Sequence, residues 1–259
     1  MAVTEPTLDQ ILAFCAASPV ERVFLEDVAR RGLGRFAAVA GDDGALRALC
    51  HCGANVVPSG TGCAEFAALA RTMPVRMLIG EAGAVSELWD AARDRFPQPR
   101  EDRPHQPVYV LDALPEPGGT GLRPARPSDF ERLLPACVEA HRLELGVDPL
   151  QRDSDGFRYR TMAQIDEGRS WVWLEDEVIL FKAEASAWTP RAVQVAQVWA
   201  DPEARGHGFA ARGLRDLCRL LLARTPVVTL FVRTDNAPAI ALYDRIGMRK
   251  ELEYRSLLF

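Results

Sequence analysis

The residues best suited to hold a phosphate group lie in the C-terminal half of the chain. From Ala192 the sequence reads AVQVAQVWADP, then ARGHGFAARG, then RGLRDLCRLLLA. These runs predict a strand, a glycine-containing turn and an amphipathic helix. The first N–H groups of a helix have no partner within it, so glycines there allow a diphosphate to approach closely. The turn predicts a phosphate-bearing cofactor held by Arg205, Gly206, His207, Gly208, Phe209, Ala210 and Ala211.

A second pair of candidate residues follows on the next predicted helix. Asn236 and Tyr243 lie seven residues apart, which is two helical turns, so both side chains face the same way. Asn236 is also a candidate N-cap, because Pro238 stands in the first turn. Tyr243 has core packing as its alternative role.

The elements that must position these residues follow a mixed α/β pattern. Leu114–Gly121 contains two prolines and three glycines, which predicts a linker. We therefore expect two domains, residues 1–113 and 121–259, joined by residues 114–120. Ser128 and Glu131 have the spacing of a capping box that opens a helix. The C-terminal domain is predicted to follow the order β α α β β β α β α β, with strands over 121–126, 171–174, 178–188, 192–200, 227–233 and 248–259 and helices from 128 and over 156–167, 209–224 and 236–246.

Composition excludes several classes of protein. The chain has 259 residues, 26% of them charged, and a net charge of −5, which argues against nucleic acid as the main partner. The N-terminus lacks a basic stretch followed by an apolar one, and no apolar run is long enough to span a bilayer. We therefore expect a cytoplasmic protein with no membrane partner; a homodimer is compatible with the sequence.

The six cysteines are expected to be reduced thiols, since no secretory signal accompanies them. Cys50, His51 and Cys52, followed by Cys63, are candidate metal ligands by residue type. Adjacent residues of a strand point to opposite faces, so His51 would oppose both thiols, and the Cys-x-x-Cys spacing is absent. No metal is predicted.

At this point two motifs carry a family resemblance. The run from Val198 through Asp201, Pro202, Arg205, Gly206 and Gly208 to Ala210 resembles motif A of the Gcn5-related N-acetyltransferase (GNAT) superfamily. The run from Asn236 to Met248 resembles motif B of the same superfamily. The resemblance covers residues 120–259. It implies the GNAT fold, acetyl-CoA as co-substrate and an amine-bearing small molecule or peptide as acceptor, with Val198, Trp199, Ala200 and Asn236 joining the glycine turn in binding acetyl-CoA.

The resemblance also implies roles in the reaction. Tyr243 fits the general acid that returns a proton to the CoA thiolate, since a phenol and a thiol have pKa values of roughly 10 and 8.5. The motif A strand offers only Gln194 and Gln197, so Glu184 on the preceding strand is the best remaining carboxylate and the predicted base; its alternative role is that of a solvated strand residue. His141 and Glu144 lie where the family builds its acceptor pocket. A regulatory protein that binds CoA without turnover is the alternative function.

The N-terminal half contains a weaker version of the same glycine turn and order of elements. Ser59–Ala64 aligns with 205–210 at both glycines and the alanine. Serine stands in place of the arginine, and Leu88 in place of Tyr243. We interpret residues 1–113 as a degenerate GNAT-like domain, with a helix capped by Thr7 and Gln10, strands over 36–40, 46–58, 75–80 and 108–111, and helices after Gly62 and over 82–95.

Two other nucleotide-binding classes are disfavoured. The spacing of Gly206, Gly208 and Ala211 satisfies a dinucleotide fingerprint, but that motif opens its fold directly after a strand and needs an acidic residue about 20 positions later. Residues 222–228 contain no acidic residue, and the P-loop motif is absent from the sequence.

Overall fold

The computed structural model describes residues 3–72, 75–204 and 206–259. Arg205 lies outside the described residues. In the N-terminal half, α1 begins after the predicted capping box, in which Thr7 and Gln10 bond each other's backbone N–H groups. The helix expected after Gly62 is a 3-10 helix over Cys63–Thr72. The elements here are α1 (Leu8–Ala16), α2 (Val23–Arg30), β1 (Phe36–Ala40), β2 (Leu46–Cys52), β3 (Asn55–Gly60), β4 (Met77–Glu81), α3 (Ala82–Ala92) and β5 (Glu101–Leu111).

The C-terminal half has the predicted order of elements. They are β6 (Arg123–Pro124), α4 (Phe130–Leu145), α5 (Pro149–Asp166), β7 (Ser170–Glu175), β8 (Val178–Trp188), β9 (Val193–Ala200), α6 (Phe209–Leu222), β10 (Val228–Phe231), α7 (Ala237–Arg245) and β11 (Arg249–Leu258).

The capping box expected at Ser128 and Glu131 is wrong. A 3-10 turn over Pro127–Asp129 precedes α4. It is the Asp129 carboxylate that accepts the backbone N–H of Arg126, at 2.7 Å, while pairing with the Arg123 guanidinium. A carboxylate that satisfies an arginine and an N–H together outcompetes a serine hydroxyl for this turn.

All eleven strands form one sheet in the order β1-β2-β3-β4-β11-β5-β10-β9-β8-β7-β6. The sheet is mixed: β9 and β10 run parallel, as do β3 and β4. In the C-terminal half, α4 and α5 cover one face and α6 and α7 the other. The N-terminal half repeats this arrangement, with α1 and α2 opposite the 3-10 helix and α3.

The two halves exchange their last strands at the centre of this sheet. β5, from the N-terminal half, lies between β10 and β11. β11, from the C-terminal half, lies between β5 and the N-terminal β4. Each half therefore completes its own sheet with a strand from the other half. β5 extends beyond the predicted 108–111 because its residues 101–107 also pair with β11.

The residues of the predicted linker are held against α6. The Asp216 carboxylate accepts the backbone N–H groups of Gly118 (2.7 Å) and Thr120 (2.8 Å). The Arg212 guanidinium donates to the carbonyl oxygens of Gly118 and Gly119. At Gly118 a Cβ would lie 2.0 Å from the Arg212 carbonyl oxygen, so only glycine fits. Residues 114–120, called the linker strap below, are therefore fixed against α6 and do not form a flexible linker.

Candidate functional site

The parallel strands β9 and β10 separate after a short paired stretch. Val193 and Gln194 face Val228 and Thr229, and beyond them β9 follows β8 while β10 follows β5. At the point of separation β9 carries a bulge, where Gln197 has a left-handed φ of +53°. A bulge interrupts the ladder and leaves backbone groups without strand partners. The separation opens a cleft of about 570 Å³ between the two strands.

Five predicted site residues meet at this cleft. Val198, Trp199 and Ala200 line one wall from β9, and Asn236 and Tyr243 line the opposite wall from α7. The seven-residue spacing of the last two therefore places both on the cleft, as predicted. The side-chain oxygen of Asn236 also accepts the backbone N–H of Ala239 at 3.3 Å, so this residue caps α7 as well.

Tyr243 is buried, with 6% of its surface exposed. Its ring packs 5.7 Å from that of Tyr109 on β5. Burial raises the pKa of the Tyr243 phenol, and the Glu144 carboxylate raises it further. The phenol therefore keeps its proton across physiological pH, and the raised pKa makes it a weaker acid than a free phenol.

Two carboxylates among the described residues line this cleft, Glu144 and Asp235. Asp235 pairs with the Arg233 guanidinium, whereas Glu144 acts electrostatically on Tyr243. Glu144 stands in the last turn of α4. The Gln197 amide donates to its Oε2 atom. Burial raises the pKa of Glu144, while the Gln197 amide and the Arg103 guanidinium oppose the rise. A partly buried carboxylate of raised pKa is suited to accept a proton.

Glu184, the predicted base, stands apart from the residues that line the cleft. Its carboxylate accepts from the ammonium group of the fully buried Lys182, at 2.6 Å, and from the Cys137 thiol. Burial alone would lower the pKa of Lys182, but Glu184 and Cys137 raise it on balance. The ion pair neutralises a lysine beneath α4, so the structure gives Glu184 a partner other than the cleft; its catalytic role stays a prediction.

The glycine turn stands at the start of α6, beyond the end of β9. Gly206 and Gly208 adopt φ values of +81° and +79°, and a Cβ at either position would meet nothing within 4 Å. Gly208 is the N-cap, without a capping side chain. Phe209 packs on Trp173 and Ala211 is buried. The turn therefore presents backbone to open space, which is the geometry an anion requires; His207 and Ala210 lie within it.

The corresponding turn of the N-terminal half is already filled. The Glu87 carboxylate accepts the backbone N–H groups of Gly62 and Cys63, each at 2.8 Å. A Cβ at Gly62 would lie 2.3 Å from the Arg47 guanidinium. Strands β3 and β4 also approach each other at Gly80, where a Cβ would lie 2.9 Å from a carbonyl oxygen of β3. This half therefore carries its own anion where the other half presents open backbone.

Two residues of the cleft come from the N-terminal half, and sequence reasoning missed both. Arg103 and Gln106 on β5 line the cleft and are 9% and 2% exposed. Their placement depends on the strand exchange, which leaves no local signal in the sequence. Within 3–72, 75–204 and 206–259, no cluster of three or more His, Cys, Asp or Glu side chains is arranged to hold a metal ion. No helix in these ranges is long and apolar enough to cross a membrane.

Comparisons with solved structures show the same fold over nearly the whole chain. A GNAT-family protein from Novosphingobium aromaticivorans is 17% identical, with a TM-score of 0.59, and the match covers 93% of this chain and 97% of that one. A GCN5-related N-acetyltransferase from Kribbella flavida is 15% identical with a TM-score of 0.61, covering 92% and 95%. A tandem GNAT protein from the clavulanic acid biosynthesis pathway is 14% identical with a TM-score of 0.55, covering 97% and 93%.

Family comparisons separate the two halves. No curated protein matches the chain significantly. Residues 35–133 match a domain of unknown function (DUF4081). Residues 135–248 match the acetyltransferase (GNAT) family, which confirms the predicted family, the two-domain α/β fold and the acyltransferase class. The match to the acetyltransferase (GNAT) family therefore lies within the C-terminal half of the chain, and the match to DUF4081 covers most of the N-terminal half.

Proposed function

We propose that residues 121–259 form an acetyl-CoA-dependent N-acetyltransferase, in which a primary amine attacks the acetyl thioester within a ternary complex. The observation that carries the proposal is the separation of β9 from β10, which leaves β9 backbone without a strand partner in the cleft that Tyr243 also lines. An extended pantetheine arm needs such an unpaired strand, and a leaving thiolate needs a proton donor beside it. Both features occur in one cleft of a domain from an acetyltransferase family.

The described residues fit acetyl-CoA, which would supply an activated thioester. The open turn from Gly206 to Ala211 would bind its diphosphate through backbone N–H groups. Arg205, at the head of that turn in sequence, belongs to the same proposal. The backbone of Val198, Trp199 and Ala200 would pair with the pantetheine amides, and N–H groups at the bulge would polarise the thioester carbonyl.

Tyr243 is proposed as the general acid. The phenol is buried and protonated, and it stands on the wall opposite β9. Asn236, two turns away on the same side of α7, orients the same ligand while it caps the helix. The acceptor is proposed to be an amine-bearing small molecule or peptide.

The N-terminal half is proposed to be a degenerate copy of the same domain, with boundaries at 1–113, 114–120 and 121–259. Its elements follow the order of the C-terminal half, and a single bridge between Thr4 and Ala38 stands where β6 pairs with β7. The Glu87 carboxylate occupies its anion-binding turn. This half therefore supports the fold without binding CoA.

The test is a Tyr243→Phe variant of the full chain. Acetyl-CoA binding is measured by calorimetry, and CoA release is measured with a panel of polyamines, amino acids and peptide N-termini. We expect kcat to fall by about 100-fold while the Kd for CoA stays unchanged, because general acid catalysis contributes about 10²–10⁴-fold.

The matched control is Tyr109→Phe, which removes a buried hydroxyl from the neighbouring ring and should leave kcat within about twofold of the parent value. Equal losses in the two variants would exclude Tyr243 as the acid. Binding of CoA with no turnover of any amine would favour the regulatory alternative, and no binding at millimolar CoA would refute the proposal as a whole.

A further inference from the structure

The N-terminal domain reaches into the cleft of the acetyltransferase domain through β5. The Arg103 side chain is held in place by Glu101 on its own strand, with Nε and Nη2 each 2.8 Å from a carboxylate oxygen. The same Nη2 atom donates to the backbone carbonyl oxygen of Glu144, also at 2.8 Å. Arg103 of the N-terminal domain, held in place by Glu101, therefore binds the last turn of α4 in the C-terminal domain.

A second arginine of the same domain shares this task. Arg100 donates to the carbonyl oxygen of Leu145, at 2.8 Å. The final carbonyl groups of a helix lack partners within it and carry partial negative charge, so cationic donors stabilise that end. Arg103 lines the cleft, whereas Arg100 does not. Both arginines cap the end of α4, but only Arg103 is placed to act inside the cleft. Comparing variants of the two therefore distinguishes helix capping from an effect in the cleft.

Glu144, whose backbone Arg103 holds, carries the less exposed of the two carboxylates that line the cleft among the described residues. The other, Asp235, is largely exposed and paired with Arg233. Gln197, at the bulge of β9, donates its amide to Glu144. The bulge is also where the acetyl thioester is expected under the proposed function. Glu144 and Tyr243 then lie on the same cleft, one able to take a proton and the other able to give one.

We infer that Glu144 is the general base of the acetyl transfer and that Arg103, supplied by the N-terminal domain, is its positioning residue. This inference rests on the proposed function. The Glu144 carboxylate takes one proton from the ammonium form of the acceptor, which frees the lone pair that forms the C–N bond while the C–S bond breaks. Tyr243 gives its proton to the departing sulfur and regains one from the new amide nitrogen, and Glu144 releases its proton to water.

The charged and titratable groups around Glu144 set the direction of the pH effect. Burial raises its pKa, Arg103 and the more distant Lys182 lower it, and Glu184 raises it. Tyr243 faces it with a neutral phenol. Removing the positive charge of Arg103 therefore raises the pKa of Glu144, and the rising limb of the rate profile moves to higher pH.

The experiment uses the full chain with three variants, Glu144→Gln, Arg103→Met and Arg100→Met. The first readout is kcat/KM against pH, with the amine of the panel that is turned over fastest. Glu144→Gln should lower kcat/KM by about 100-fold and abolish the rising limb, with CoA affinity unchanged. Arg103→Met should shift the limb to higher pH. Arg100→Met, which removes only a cap, should leave the limb in place.

The second readout needs no acceptor. In protein labelled with ¹³C at the glutamate side chains, the Glu144 carboxyl signal is assigned by its absence in Glu144→Gln and titrated directly. Its pKa should rise in Arg103→Met and stay unchanged in Arg100→Met. Turnover within threefold of the parent protein in Glu144→Gln, or an unmoved Glu144 pKa in Arg103→Met, would overturn the inference while leaving the acetyltransferase function standing. Loss of CoA binding by the parent protein would instead remove the proposed function itself.

Discussion

Removing β5 from the chain should abolish folding of the acetyltransferase domain. The fragment 114–259 begins at the linker, where a domain boundary is expected, but it lacks the strand that lies between β10 and β11. Without β5, both of these strands would present unpaired N–H and C=O groups along their length. The wall behind Tyr243 would also lose Tyr109.

The magnitude follows from the residues that β5 buries. Val108, Tyr109, Val110 and Leu111 are each at most 7% exposed. Full burial of such a side chain stabilises a fold by about 1.5–3 kcal/mol, or about 6–12 kcal/mol for the four together. The whole free energy of unfolding of a domain is about 5–15 kcal/mol. Even half of the lost burial is therefore comparable with the entire stability of the fragment.

The assay is urea denaturation followed by tryptophan fluorescence, since four of the five tryptophans lie within 114–259. The matched control is the fragment 97–259, which restores β5 and nothing else of the N-terminal sheet. We expect a cooperative transition for 97–259 and none for 114–259. Adding the fragment 1–113 should restore the transition, because it supplies the missing strand. A cooperative transition in 114–259 alone, with m close to that of 97–259, would refute the reasoning and show that β11 pairs with β10 unaided.

Three further outcomes are expected. Asp216→Asn should lower the free energy of unfolding by about 2 kcal/mol in urea denaturation at neutral pH, because it removes the charged acceptor that holds the linker strap; a change below about 0.5 kcal/mol would contradict the strap. The Arg123 guanidinium lowers the pKa of the buried Asp129, so this carboxylate stabilises the fold above about pH 4 and loses its effect as the pH falls through the lowered native pKa. The difference in stability between the parent protein and Asp129→Asn should therefore shrink on acidification, and a constant difference would contradict this pair. Calorimetry should give one CoA per chain, because Glu87 already binds the N-terminal turn; two would show that its carboxylate is displaced.

The sequence is informative where the signals are local. The glycine turn, the Asn236 to Tyr243 spacing and the alternation of strands and helices in the C-terminal half are encoded within a few residues, and they predict the element order that the structure shows. The Thr7 capping box is another local signal that is confirmed.

Long-range partners account for what the sequence analysis missed. The helix α2 carries Glu26 and Asp27, which are fully buried, so its sequence resembles a solvated segment. Besides the local partners Arg30 and Arg31, these carboxylates pair with Arg191 and Arg169 from the other half of the chain. The exchange of β5 and β11 is likewise decided by pairing between distant segments, and Arg103 reaches the cleft only through it.

The strand exchange constrains how this chain is able to change over evolutionary time. If the N-terminal half is the degenerate copy proposed above, with the Glu87 carboxylate at its glycine turn, the strand that it lends to its neighbour keeps it indispensable. Deletion of the N-terminal half would remove β5 from between β10 and β11 in the remaining sheet. We therefore expect relatives of this chain to vary at the N-terminal glycine turn while they keep β5 and the two side chains, Arg103 and Gln106, that it contributes to the cleft.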